Sequence, residues 1–109
     1  MIKKVIKISF LLPTFNSQLS IKDTLNSIHW ADEIIVIDSF SDDNTIQIAK
    51  EYGAIVIQHE YINSAKQKNW ALQHCKFNWI FQIDSDEILD SNSEEIIRNA
   101  VESADENID

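Results

Sequence analysis

Apolar residues gather in short runs along this chain, and each run is followed by polar residues and then by a stretch with helical spacing. Ile6 to Leu12, Glu33 to Ile37, Ala54 to Ile57 and Trp79 to Ile83 are rich in β-branched and aromatic residues and predict buried strands. Between them lie candidate helices. Ser20, with Asp23 three residues on, predicts an N-cap for a helix through about His29. Ser41 or Asp42 is placed to cap a second helix running to Tyr52, with apolar Ile46, Ile48 and Ala49. Gly53 then sits where a left-handed residue ends a helix. A third helix is predicted from about Asn63 to His74, and "SNSEE" opens a last one reaching about Ser103. Residues 104–109 are polar and predict a frayed tail.

The alternation β-α-β-α-β-α-β-α predicts an α/β fold: a mainly parallel, Rossmann-like sheet with helices on both faces and right-handed crossovers. In such sheets ligands bind beyond the carboxyl ends of the strands. Polar residues gather at those ends here, in Pro13-Thr14-Phe15-Asn16, in Asp38-Ser39 and in Asp84-Ser85-Asp86.

Length and charge narrow the function. With 109 residues the chain fits a single domain over 1–109. Its formal net charge of −9 argues against binding bare nucleic acid or an anionic membrane. One cysteine, Cys75, makes no internal disulfide and suits a reducing compartment, so the cytoplasm is the expected location. Cys75 itself reads as a buried small hydrophobe. The N-terminal "MIKKVIKISFLLPTF" begins with lysines and an apolar run, but Lys7 interrupts it and Pro13 ends it. What remains is short for a signal core and far short of the ~20 residues of a membrane span.

The segment "WIFQIDSDEILD" carries the chemistry: a strand followed at once by Asp84, Asp86, Glu87 and Asp90. Two carboxylates about 5 Å apart repel by roughly 3 kcal/mol at an effective dielectric near 20, so such a pair protonates, spreads or holds a cation. Residues i and i+2 of an extended chain point the same way, about 6.5 Å apart, which lets Asp84 and Asp86 reach one divalent ion. A solvated turn is the alternative reading. Phosphates are commonly cradled by glycine-rich loops, yet the chain has one glycine, so neither the dinucleotide fingerprint nor the P-loop pattern can be written. A phosphate ligand here needs a metal on carboxylates, and hard oxygen donors select Mg²⁺ or Mn²⁺.

"PTFN" after the first strand, "VIDSFSDDNT" at the second, "AKQKNWAL" on the third helix and "IDSDE" after the fourth strand resemble, in order and spacing, the nucleotide-binding half of the family 2 glycosyltransferases. The chain is similar in particular to lipopolysaccharide core β-1,4-glucosyltransferase-like proteins. The resemblance implies the N-terminal half of a GT-A fold and the transfer, with inversion, of a sugar such as glucose from a UDP-sugar donor. The implied acceptor is a lipopolysaccharide, another glycan or a lipid-linked acceptor, with peripheral association of the full-length enzyme at the inner membrane. It also implies that Thr14 and Asp38 contact uracil and ribose, that Lys66 faces the diphosphate, that Asp84 lies near ribose and metal, and that Asp86 ligates the metal, Mn²⁺ or Mg²⁺.

Other residues take structural roles. Asp43 and Thr45 serve the start of the second helix, and Trp70 and Leu72 pack in the core. His29, His59 and His74 lack metal-ligand spacing. Glu87 stands too close to the metal site to act as the acceptor base, which is expected in an acceptor-binding half beyond this chain. Two non-enzyme readings stand beside this one: a nucleotide-binding or interaction module, and a receiver-like signalling domain. The receiver needs an acid pair after the first strand, where this chain has Pro13 to Asn16.

Overall fold

The computed structural model describes residues 5–61 and 63–106. Its elements are β1 (Ile8–Thr14), α1 (Ile21–Ser27), β2 (Glu33–Asp38), α2 (Thr45–Glu51), β3 (Ile55–Gln58), α3 (Ser64–Leu72), β4 (Trp79–Gln82) and α4 (Ser93–Glu106). The four strands form one sheet in the order β3-β2-β1-β4, and each pairing is parallel. The parallel pairing is the expected one, and the resemblance to the family 2 glycosyltransferases likewise implies β1 between β2 and β4.

Alternation along β1 divides the core. Ile8, Phe10 and Leu12 face one side with Ile21, Leu25 and Ile28 of α1 and its C-cap, Ala49 of α2 and Val101 of α4. Leu11 faces the other side with Ile35, Ile37 and Ala71 of α3, where Trp70, Leu72 and Cys75 also pack. Both faces are therefore covered, which is why the strands read as nearly continuous apolar runs. Cys75 is half-buried, and burial, aided by the nearby charge of Glu33, pushes its thiol pKa up.

The element limits differ from expectation for local reasons. β1 begins two residues late because its partners start opposite Ile8 on β4 and opposite Ser9 on β2, leaving Ile6 and Lys7 without a ladder. It also runs through Pro13, which was expected to end it. Odd residues of β1 face β4, whose registered pairing stops opposite Leu11, so the N–H that Pro13 lacks would have had no strand partner there. Gly53 has φ +80° and ends α2 as expected. The N-terminus of α2 departs from expectation: Asn44 is the N-cap, Ser41 is hydrogen-bonded to Asp38, and Asp43 accepts from Thr45 N and Oγ1. α4 extends through Glu106, so residues 104–106 of the expected frayed tail are helical. Residues 107–109 lie outside the described ones.

Candidate functional site

The carboxyl ends of β1 and β2 meet in a buried knot. Thr14 stands opposite Asp38 in the parallel register, and its hydroxyl donates to Asp38 Oδ1 at 2.6 Å. Ser41 Oγ donates to the same oxygen at 2.6 Å, while Ser41 N and Gln58 Nε2 donate to Oδ2 at 2.8 and 2.9 Å. Asp38 is 0% exposed. Burial works to raise its pKa, but the hydrogen bonds from Ser41, Thr14 and Gln58 together outweigh that and hold it below the usual value. Gln58 also accepts from Phe40 N at 2.8 Å, so Asp38 fixes the loop after β2 from both sides.

Two adjoining depressions open above this knot. One, of about 430 Å³, is lined by Pro13, Tyr61, Gln67 and Lys68 together with Gln82, Asp84, Ser85 and Asp86. The other, of about 540 Å³, is lined by Thr14, Phe15, Ser39, Phe40 and Glu60, and shares Pro13, Tyr61 and Gln67 with the first. Sharing three lining residues, the two adjoin as a cleft along the carboxyl edge of the sheet, the edge at which such sheets bind ligands. Phe15, Phe40 and Tyr61 are 63%, 64% and 56% exposed, which leaves three aromatic surfaces free beside the second depression. Phe40 holds φ +55°, a left-handed conformation costly for a bulky residue, in the loop that the Asp38 hydrogen bonds stabilise.

Asp84 and Asp86 both line the first depression, but not as an extended pair. β4 ends at Gln82, and Glu87 N donates to Asp84 O at 3.0 Å, closing a β-turn with Ser85 and Asp86 at its centre. The Glu87 carboxylate folds back to accept from Asp84 N at 2.8 Å. Burial, together with the charges of Glu87 and Asp86, raises the pKa of Asp84. A divalent cation in the cleft would reverse that penalty. Among the described residues no three His, Cys, Asp or Glu side chains form a metal-binding group. Asp84 and Asp86, which line the same depression, are the carboxylates there that could hold a hard cation, with ligand oxygens and water in its remaining positions.

The sequence-predicted residues are thus partly brought together. Asp84, Asp86 and Thr14 border the one cleft, whereas Asp38 lies beneath it with both oxygens engaged. Lys66 is not among the lining residues. Ser64, Gln67, Lys68 and Ala71 share the cleft-facing side of α3, and Lys66, about 200° around the helix from Ser64, points elsewhere. The lysine at the cleft is Lys68, two residues along the same motif.

Residues 9–108 match the Glycosyl transferase family 2. The chain belongs to this family. It is 42% identical over 84 residues to a protein named as an uncharacterised glycosyltransferase from Rickettsia bellii, covering 76% of this chain and 29% of that one. The lipopolysaccharide core biosynthesis glycosyltransferase LpsC of Rhizobium meliloti is 30% identical over 111 residues, with 97% of this chain and 41% of that one covered. In structure the chain is similar to residues 1–349 of Staphylococcus aureus TarS, with TM-score 0.78, 26% identity, and 90% of this chain and 33% of that one covered. It is also similar to glucosyl-3-phosphoglycerate synthase of Mycobacterium tuberculosis in complex with Mn²⁺, UDP and glucosyl-3-phosphoglycerate, with TM-score 0.62, 28% identity, and 73% of this chain and 33% of that one covered. The chain shares the GT-A fold of these neighbours, as expected from the sequence. The chain spans 29% of the length of the Rickettsia relative and 41% of the length of LpsC.

Proposed function

We propose that the cleft is the donor site of a metal-dependent glycosyltransferase, in which Asp84 and Asp86 hold a divalent cation and the cation holds the diphosphate of a UDP-sugar. The observation that carries this reading is the placement of two carboxylates and Lys68 in one depression that continues into a second, aromatic-rimmed one. A nucleotide laid along the cleft puts its base against Phe15, Phe40 and Tyr61, where stacking of a ring on an exposed aromatic is favourable. Thr14 and Ser39 border the base and ribose. Asp38 acts from beneath by holding Thr14 and the loop after β2 in place. The diphosphate then falls beside Lys68 and the Asp84–Asp86 turn. A cation bound there would supply Lewis-acid stabilisation of the charge that develops on the departing diphosphate.

Glucose from UDP-glucose is the proposed donor sugar, and a lipopolysaccharide or other glycan, or a lipid-linked acceptor, the proposed acceptor. Kinship with LpsC and similarity to a glucosyl-transferring synthase crystallised with UDP support that choice. A cytoplasmic setting, with peripheral contact at the inner membrane, is part of the same proposal. No described helix is long and apolar enough to cross a membrane.

A calorimetric series tests the reading. In Mn²⁺, UDP is expected to bind more tightly than UMP, and uridine weakest, because each phosphate removed takes away oxygens that the cation and Lys68 would hold. Equal affinity for the three would contradict a diphosphate site. Turnover of UDP-glucose would separate an active transferase from a module that binds nucleotide alone.

A further inference from the structure

Ser17, Ser20 and Thr24 fall within about 60° of one another on a helical projection, at spacings of three and four residues. That polar stripe on an otherwise apolar helix face calls for partners, since a buried hydroxyl without one is costly. All three find them on a single residue, Ser85, the centre of the Asp84-Ser85-Asp86 turn. Ser20 Oγ donates to Ser85 O at 2.7 Å, and Thr24 Oγ1 donates to the same carbonyl at 3.0 Å. Ser17 Oγ and Ser85 Oγ share a hydrogen bond of 2.9 Å.

Two features show that these contacts are more than loop packing. Ser20 is the N-cap residue of α1, yet its side chain makes no cap hydrogen bond. A capping bond of about 1 kcal/mol is forgone there. Thr24 is 0% exposed, so its hydroxyl has no water to fall back on. The stripe is itself anchored, because Ser17 N donates to Thr45 Oγ1 at 2.7 Å and Thr45 is held by Asp43. The turn that carries the two cleft carboxylates is thus tied through α1 to the start of α2.

We propose that Ser20 and Thr24, with Ser17, are positioning residues that clamp Ser85 and thereby fix the turn that would present the Asp84 and Asp86 carboxylates to a cation. The proposal rests on the donor-site reading above. Two like charges on a four-residue turn tend to swing apart. Fixing the carbonyl and the side chain of the residue between them opposes that motion without adding a metal ligand.

The test uses the 109-residue chain and measures UDP affinity in Mn²⁺ alongside the melting temperature. Thr24→Val keeps the side chain's shape and removes its hydroxyl, and with Ser20→Ala it leaves the Ser85 carbonyl with neither donor. This double variant is expected to lose about tenfold or more in Mn²⁺-supported UDP affinity, the loss typical when the partners that orient a metal's ligands are removed. Thr24→Ser restores the hydroxyl and should return affinity close to that of the parent, which a purely steric role for Thr24 would not do. If the double variant does not fold, Ser20→Ala alone decides, since Ser20 is half-buried at a helix end; it should still weaken Mn²⁺-supported binding. Variants that melt earlier but bind UDP in Mn²⁺ as the parent does would overturn the proposal and leave the donor site standing. A parent chain with no cation-supported UDP affinity would remove the donor-site reading, and the clamp with it.

Discussion

Asp38 shows what a single residue can conceal in sequence. An aspartate at a strand end reads equally as a ligand contact or as a turn residue, and only the register of β1 on β2 shows Thr14, Ser41 and Gln58 closing on its two oxygens. Because its pKa in the fold lies below the usual 3.8, its contribution to stability is fully present above that value. It is lost as pH falls through the lower, folded-state pKa. Asp38→Asn should cost about 2 kcal/mol at pH 7, since an amide nitrogen would face donors where an oxygen accepted them. In urea melts the gap between parent and variant should close only below about pH 4. A constant gap down to pH 2 would show that the ionised carboxylate is not what the knot holds.

Lys66 and Lys68 pose the complementary case. The motif was legible, but the phase of α3 was not, because Ala65, Trp70, Ala71 and Leu72 are spread around the helix rather than along one stripe. Lys68→Ala should weaken UDP binding in Mn²⁺ by roughly tenfold, or about 1.4 kcal/mol, and Lys66→Ala far less. The reverse order in a titration would return the diphosphate contact to Lys66. The aromatic rim was missed for a related reason. Phe15, Phe40 and Tyr61 stand apart in three loops, and the available signal was that each follows a strand's carboxyl end.

Among the elements, strands and helices were legible because their periods are distinct, and the sheet order followed from the family resemblance. Boundaries were less so wherever a side chain serves a neighbour instead of its own backbone. Ser20 and Ser41 carry N-cap chemistry in sequence, yet their hydroxyls reach Ser85 and Asp38. The Asp84-x-Asp86 spacing was legible as a pair of carboxylates, but its turn geometry was not, because that depends on Glu87 folding back. α4 is held by Arg98, whose Nη2 donates to Trp30 O at 3.1 Å and whose Nε donates to Glu94 at 2.9 Å. Arg98 also pairs with Asp32 at 3.6 Å and lies over the Trp30 ring. Arg98→Met should cost about 1–2 kcal/mol in chemical denaturation, and Arg98→Lys should recover little of it, since an ammonium cannot span those partners as a planar fork does. Full recovery by lysine would mean that charge alone secures the helix.

At the scale of the whole molecule, a chain of net charge −9 places acidic residues on the edge where an anionic nucleotide would have to sit. A cation resolves that conflict. The measurement that tests this most directly is UDP titration by calorimetry with and without Mn²⁺ for the parent chain, Asp86→Asn and Asp90→Asn. The parent should bind UDP appreciably only with Mn²⁺ present. Asp86→Asn should weaken that binding by roughly tenfold or more while leaving metal-free binding little changed, as expected for loss of one ligand charge. Asp90 holds the entry of α4 through Asn92 N and Ser93 Oγ, so Asp90→Asn should change UDP binding far less. Tight UDP binding without a cation, or equal losses from the two substitutions, would contradict a metal held by the Asp84–Asp86 turn.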